Sequence, residues 1–241
     1  MVYLNWISMI GAPFCIQNFD RKQRGGQIMA KTKTITIECP KCHEAFEIKG
    51  YDTINASLDE ALKDKLIKTE LFKHTCPECS ETFSEPYSLR YQDMEKEYML
   101  ILDMGGLDTE AEAAEVLEMF PNYRIRIVKD VMDFLEKIHI FESNLNDKII
   151  TYLDYKIYED VSKKLKAENS PIAIDKVLFG SFEFQKKKVV FGALNNAGKQ
   201  IFIDTPFADY KALANSPRLV PCFKERAGEY VIDKAWAEAL A

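Results

Sequence analysis

Apolar and polar positions alternate along residues 34–49. Ile35 and Ile37 stand against Thr34, Thr36 and Glu38, and Phe46 and Ile48 stand against Glu47 and Lys49. A period of two predicts two short strands, each with one covered face. Leu58, Leu62, Leu66 and Ile67 then recur at helical spacing toward Leu71. Ser57 is placed to cap and Glu60 to complete a capping box, which predicts a helix over roughly 58–72. Tyr87–Tyr91 and Tyr98–Leu102 read as strands, and Gly105-Gly106 as a turn. Asp108 is placed to cap an acidic helix, 109–119, that Pro121 stops, and Arg124–Val128 is a short strand. Asp130 opens a helix with Val131, Phe134, Leu135 and Ile138 on one face, and Asn144 breaks it. Ile149, Leu153, Ile157 and Val161 carry a further helix from about 145 to 166.

From Pro171 the pattern turns to strands. Ile172–Phe179, Phe182–Phe184, Val189–Leu194 and Gln200–Asp204 are separated by turns at Gly180-Ser181, at Lys186-Lys187-Lys188 and at residues 195–198. That is an antiparallel meander, closed by a helix with Ile232, Trp236 and Leu240 on one stripe. The expected fold class is α+β: a strand ribbon with a helical insert, a helical region, and a C-terminal β-meander with a closing helix. The corresponding segments are a leader over 1–28, a ribbon plus helical domain over 29–168, and the meander plus helix over 169–241.

The leader reads unlike the rest. Val2 to Ile16 is apolar but broken by Asn5 and Pro13, with no basic region before it and no small-residue cleavage site after it, which argues against a secretory signal. Gly25-Gly26 can be encoded by a ribosome-binding sequence, and Met29-Ala30-Lys31 is an ordinary cytosolic start. Residues 1–28 are accordingly expected to be untranslated or a disordered tail. Dropping Asp20, Arg21, Lys22 and Arg24 takes the net charge from −6 to −8.

Composition allows a real core, since 47 % of the 241 residues are hydrophobic. The acidic balance argues against general binding to phosphate backbones, so nucleic acid is an unlikely partner. The basic runs at 163–166 and 186–188 read as a solvated helix end and a hairpin turn. No apolar run reaches the roughly 18 residues of a membrane span.

The chemistry sits in a repeat. Cys39-Pro40-Lys41-Cys42-His43-Glu44-Ala45-Phe46 aligns with Cys76-Pro77-Glu78-Cys79-Ser80-Glu81-Thr82-Phe83, identical at both cysteines, Pro, Glu and Phe. One tight turn presents two sulfurs to one ion, and two such turns complete a tetrahedral shell of Cys39, Cys42, Cys76 and Cys79. One structural Zn²⁺ is expected, with no position left for water. Phe46 and Phe83 are expected beneath it, and Glu44 and Glu81 as exposed strand residues. The 33 residues between Cys42 and Cys76 exceed the usual spacing of such sites. Loop closure, though, costs only about 0.6 kcal/mol per doubling of length.

Rivals exist. A thioredoxin-type site opens a helix, whereas strand patterns follow both pairs here. Cys39-Pro40-Lys41-Cys42-His43 matches a c-type haem attachment but leaves Cys76 and Cys79 unexplained. Rubredoxin-like iron would take the same four thiolates. Rubredoxins usually carry glycine after each knuckle, where this chain has His43 and Ser80. His43 and His74 read as neighbours of the site, His139 as structural, and Cys222 as an ordinary buried thiol. Reduced thiolates point to the cytoplasm.

Doubled C-P-x-C knuckles with a helical insert resemble the CpXC-domain family of bacteria and archaea. The resemblance continues in Arg126-Ile127-Val128, Leu135-Glu136-Lys137-Ile138, Phe141-Glu142 and Leu145-Asn146-Asp147, over roughly residues 34–160. It implies a zinc-bearing domain and no activity. No catalytic motif emerges from the sequence. The leading expectation is a non-catalytic cytosolic zinc protein acting through a protein partner, of undetermined oligomeric state. The alternatives are an enzyme with a cleft between helical region and meander, and a nucleic-acid-binding ribbon.

Overall fold

The computed structural model describes residues 30–105 and 108–241. The reading of residues 1–28, and Gly106 of the expected turn, lie outside the described residues. The chain is mixed α+β, with seven α-helices and three sheets among the described residues. It divides into two compact units, one ending at Val131 and one running from Met132 to Ala241.

In the first unit, β1 (Lys31–Glu38) and β2 (Ala45–Asn55) form an antiparallel hairpin with Ile35 opposite Ile48 and Ile37 opposite Phe46. The alternating residues therefore meet as expected. β2 also runs on past the alternating pattern. Its end, from Thr53 to Asn55, pairs in parallel with β5 (Leu89–Asp93). β5 is antiparallel to β6 (Tyr98–Leu102), and β6 is parallel to β7 (Arg124–Val128). The result is one mixed five-stranded sheet, β1-β2-β5-β6-β7, which extends well beyond the expected ribbon. Every residue of β6 is buried, as its unbroken apolar run requires of a strand covered on both faces. A separate hairpin pairs β3 (Lys73–Thr75) with β4 (Thr82–Ser84).

The expected helix 58–72 is divided into α1 (Glu60–Ile67) and a 3-10 turn, Glu70–Phe72, at Thr69, whose φ is 57°. The capping box does not form. α1 begins instead after Asp59, which makes no side-chain cap bond, and Asn55 organises the turn before it: its carbonyl accepts the Leu58 and Asp59 N–H groups, and its side chain accepts Ser57 N–H. Ser57 Oγ instead donates to Asp93. The strand expected at 87–91 is shifted to Leu89–Asp93. α2 (Thr109–Met119) and its Asp108 cap on Ala111 N–H are as expected. Arg90 binds Glu112 of α2 and Asp52 of β2 together, tying helix to sheet.

In the second unit, α3 (Val131–Glu142) ends before Asn144, which has a φ of 54°. α4 (Asp147–Ala167) follows, capped by Asn146, whose side chain accepts the Lys148 and Ile149 N–H groups. Lys164 and Lys166 occupy its last turn, and Lys163 pairs with Glu159. β8 (Ile174–Glu183), β9 (Lys188–Asn195) and β10 (Gln200–Pro206) form the antiparallel meander. Gly180-Ser181 is not a turn. β8 runs through it with a register shift between Phe179 and Ser181. A glycine inside a strand marks such a bulge as readily as a break. The lysine run is the β8–β9 turn, with Lys186 and Lys188 paired to Glu183 and Lys188 also to Asp204. The basic patch is therefore largely neutralised.

α4 packs its Ile149, Ile150 and Leu153 into one core with Val177, Phe179 and Phe191 of the sheet. Two short helices, α5 (Phe207–Ala214) and α6 (Val220–Phe223), precede the closing α7 (Lys234–Glu238). They carry too few turns for a periodic signal. Phe207, Tyr210, Trp236 and Leu240 all pack against this core. Beneath it lies an ionic cluster: Lys137 bonds Thr151 at 2.8 Å and Asp147 at 3.3 Å, and Phe179 N–H donates to Glu136 at 2.5 Å. Lys148 is fully buried against Glu229 and the Lys224 carbonyl. Among the described residues, no helix is long and apolar enough to cross a membrane.

Candidate metal centre

Each C-P-x-C segment turns one hairpin, the first between β1 and β2 and the second between β3 and β4. Proline suits the first corner of such a turn because its φ is already set. The backbone then does the same thing twice. Cys39 N–H donates to the Glu44 carbonyl and His43 N–H to the Cys39 carbonyl, both at 2.9 Å. Cys76 N–H donates to the Glu81 carbonyl at 2.9 Å and Ser80 N–H to the Cys76 carbonyl at 3.0 Å. His43 and Ser80 both take the left-handed conformation, with φ of 62° and 58°. The five shared positions of the repeat thus accompany one backbone shape made twice.

The two turns bring the four thiols together. The ligating atoms of Cys39, Cys42, Cys76 and Cys79 all lie within 4.8 Å of one another. Cys39 Sγ is 3.6 Å from Cys79 Sγ, and Cys42 Sγ is 3.6 Å from Cys76 Sγ. A disulfide would need about 2.05 Å. Four sulfurs at about 2.3 Å from a central zinc stand roughly 3.8 Å apart, so the donor set fits such an ion. Cys39 and Cys76 are buried, Cys79 is half-buried and Cys42 is exposed. Phe46 and Phe83 meet edge to face with centroids 6.3 Å apart, joining the two hairpins. Such a pair contributes about 0.5–1.5 kcal/mol beyond its buried area.

The electrostatics ask for a cation. Burial pushes the Cys39 thiol up, but the N–H groups of Cys42 and Lys41 and the neighbouring Cys42 and Cys79 thiols bring it down to about 7. The Glu44 N–H pulls Cys42 down, yet desolvation and the Cys79, Cys76 and Cys39 sulfurs push it up to about 12. Cys79 is also raised: the Glu81 N–H lowers it, but desolvation and the Cys39 and Cys76 sulfurs prevail. One proton leaves near neutrality and the next is held, because adjacent thiolates repel. A divalent ion removes that repulsion and drives off the remaining protons.

The neighbours stay outside the cluster. His43 Nδ1 lies 2.8 Å from Glu38 Oε1 on the surface, and His74 Nε2 lies 3.2 Å from the Glu85 carbonyl. His139 is buried in α3. Glu44 and Glu81 precede β2 and β4 rather than standing in them, and serve through their carbonyls and N–H groups. Sequence reasoning missed that role, although the repeat itself flagged both positions. Lys41 pairs with Glu81 at 3.1 Å across the two knuckles. Cys222 is half-buried in α6 and is not one of the clustered cysteines.

The centre defines a protein with a duplicated, thiol-only cluster able to hold a metal ion. Residues 37–154, just under half of the chain, match the model of the CpXC protein family. No curated protein and no solved structure matches the chain.

Proposed function

We propose that the chain binds one Zn²⁺ through Cys39, Cys42, Cys76 and Cys79, as the closed structural centre of a zinc ribbon built from the two hairpins. The observation that carries this reading is the convergence of four sulfurs within 4.8 Å on two turns of matched backbone geometry. Zinc favours four thiolates in a tetrahedron, and a filled shell leaves no position for a substrate or water. The protein then acts in the cytoplasm without catalysis, through contacts with a protein partner. An acidic surface, a closed donor set and the lack of a catalytic motif support that role.

The test is metal content and hydrogen exchange on the wild type and on Cys39→Ser. One zinc per chain is expected in the wild type and none in the variant. The variant should lose exchange protection in both hairpin turns and around Phe46 and Phe83, and keep it in residues 174–206. A variant that retains one tightly bound zinc overturns the ligand assignment. A red, redox-active wild type replaces zinc with iron.

A further inference from the structure

The four sulfurs are not equivalent. Cys39 and Cys76 are 0 % and 1 % exposed, whereas Cys42 stands exposed at the corner of its turn. Among thiolates that share one ion, access decides which sulfur an oxidant meets first. The sulfur 3.6 Å from Cys42 belongs to Cys76, on the opposite knuckle.

We infer that Cys42 is the modification site through which a peroxide opens the metal centre, and that the product is a disulfide from Cys42 to Cys76 across the two knuckles. The inference rests on the metal reading above. The Cys42 thiolate attacks one peroxide oxygen, the O–O bond breaks, and a proton completes the departing water, leaving a sulfenic acid on Cys42. The Cys76 thiolate then attacks that sulfur and expels the oxygen as a second water. Two sulfurs are oxidised by one electron each, and one peroxide is reduced to two waters. The ion loses two of its four ligands and leaves as the aquated dication. A bond across the knuckles keeps the β1–β2 and β3–β4 hairpins tethered, so reduction restores the site without a new search. A bond within one knuckle would leave the hairpins free of each other.

The experiment uses the full chain with its zinc counted first. Hydrogen peroxide is added from substoichiometric amounts to a tenfold excess, zinc release is followed with a chromogenic chelator, and thiols are trapped for peptide mapping. Trapping with a sulfenic-acid reagent should label Cys42 first. Zinc should leave in step with a Cys42–Cys76 disulfide, one peroxide per ion, and return after reduction. A first label on Cys39, Cys76 or Cys79 overturns the inference, as does a first disulfide between Cys39 and Cys42. Zinc that stays bound while only Cys222 reacts overturns it too. In each of these cases the metal reading stands, because zinc was present at the start. A chain purified without metal sinks both.

Discussion

Glu136 makes a sharp test of how the second unit is held together. Its carboxyl is 5 % exposed and accepts the Phe179 N–H at 2.5 Å. Burial pushes it from the usual value near 4.5 up to about 7. Lys137, the Phe179 N–H and Lys176 pull the other way, and Asp133 adds to the rise. Asp154, also buried, is raised by burial and by its bond to Glu136. Two carboxyls that meet out of water share protons rather than charges. A raised folded pKa means the native chain binds the proton more tightly than the unfolded one. The resulting stability is therefore fully present below about pH 4.5 and is lost as pH rises through about 7. A shift from 4.5 to about 7 is worth on the order of 3 kcal/mol, at about 1.36 kcal/mol per unit. Glu136→Gln keeps an acceptor for Phe179 N–H and removes the titration. Urea unfolding would be followed between pH 5 and pH 8 by Trp236 fluorescence, with Trp6 replaced by Phe. The wild type should lose roughly 1–2 M of midpoint relative to the variant, for a slope of about 2 kcal/mol per molar. Comparing the two cancels the titrating groups that do not touch Glu136, so the difference reports Glu136 together with Asp154 bonded to it. Parallel pH profiles for wild type and Glu136→Gln would refute the reasoning.

Other consequences are more local. A β-carbon at Gly50 would overlap Ile35 Cδ1 and lie 3.3 Å from Tyr87 Cε2, so Gly50→Val should destabilise the first unit by about 1–3 kcal/mol in thermal melts. Arg90→Lys cannot reproduce the two-pronged grip on Glu112 together with the Asp52 bond, and should cost about 1–3 kcal/mol in urea titrations. Ser80 holds a φ of 58°, so Ser80→Gly should bind zinc at least as tightly in chelator competition, and Ser80→Val measurably less tightly. With Lys186 and Lys188 already paired to acids, binding to single- or double-stranded DNA should be weak and non-specific in anisotropy titrations at about 0.15 M salt.

Much of the fold was readable because local patterns and tertiary demands agree. The Tyr98–Leu102 and Arg124–Val128 strands and the Asp108-capped helix stand where periodicity and capping put them. The misses share a cause. Parallel pairing of β2 with β5 and of β6 with β7 joins strands distant in sequence, and no local spacing announces a neighbour. Ser57 is a good cap residue, but Asn55 lies two positions earlier and ties Ser57, Leu58 and Asp59 into a turn, so the helix starts only at Glu60. Gly180 reads as a break because glycine permits both a turn and a bulge, and only the pairing of β8 with β9 decides between them. The long helix α4 shows no preference in sequence for either neighbour. Its buried first half carries Ile149, Ile150 and Leu153, and the structure sets these against β8 and β9.

The candidate site was legible for a different reason: it was written twice. A single C-P-x-C has many uses, but two copies that also share Glu and Phe constrain each other. The sequence carried the four ligand candidates and the Phe46–Phe83 contact, and it hid how the turns are made. Glycine is the usual sign of a left-handed residue, and neither His43 nor Ser80 supplies it. Each of those residues carries about 1–2 kcal/mol of backbone cost, as Thr69 and Asn144 do elsewhere in the chain. In the knuckles a bound dication would more than offset it, since metal affinity of about 10 kcal/mol or more is available only when all four sulfurs converge. The knuckles converge four thiols that could hold an ion, while in the second unit the buried Lys137 and Lys148 are matched by Asp147, Thr151 and Glu229.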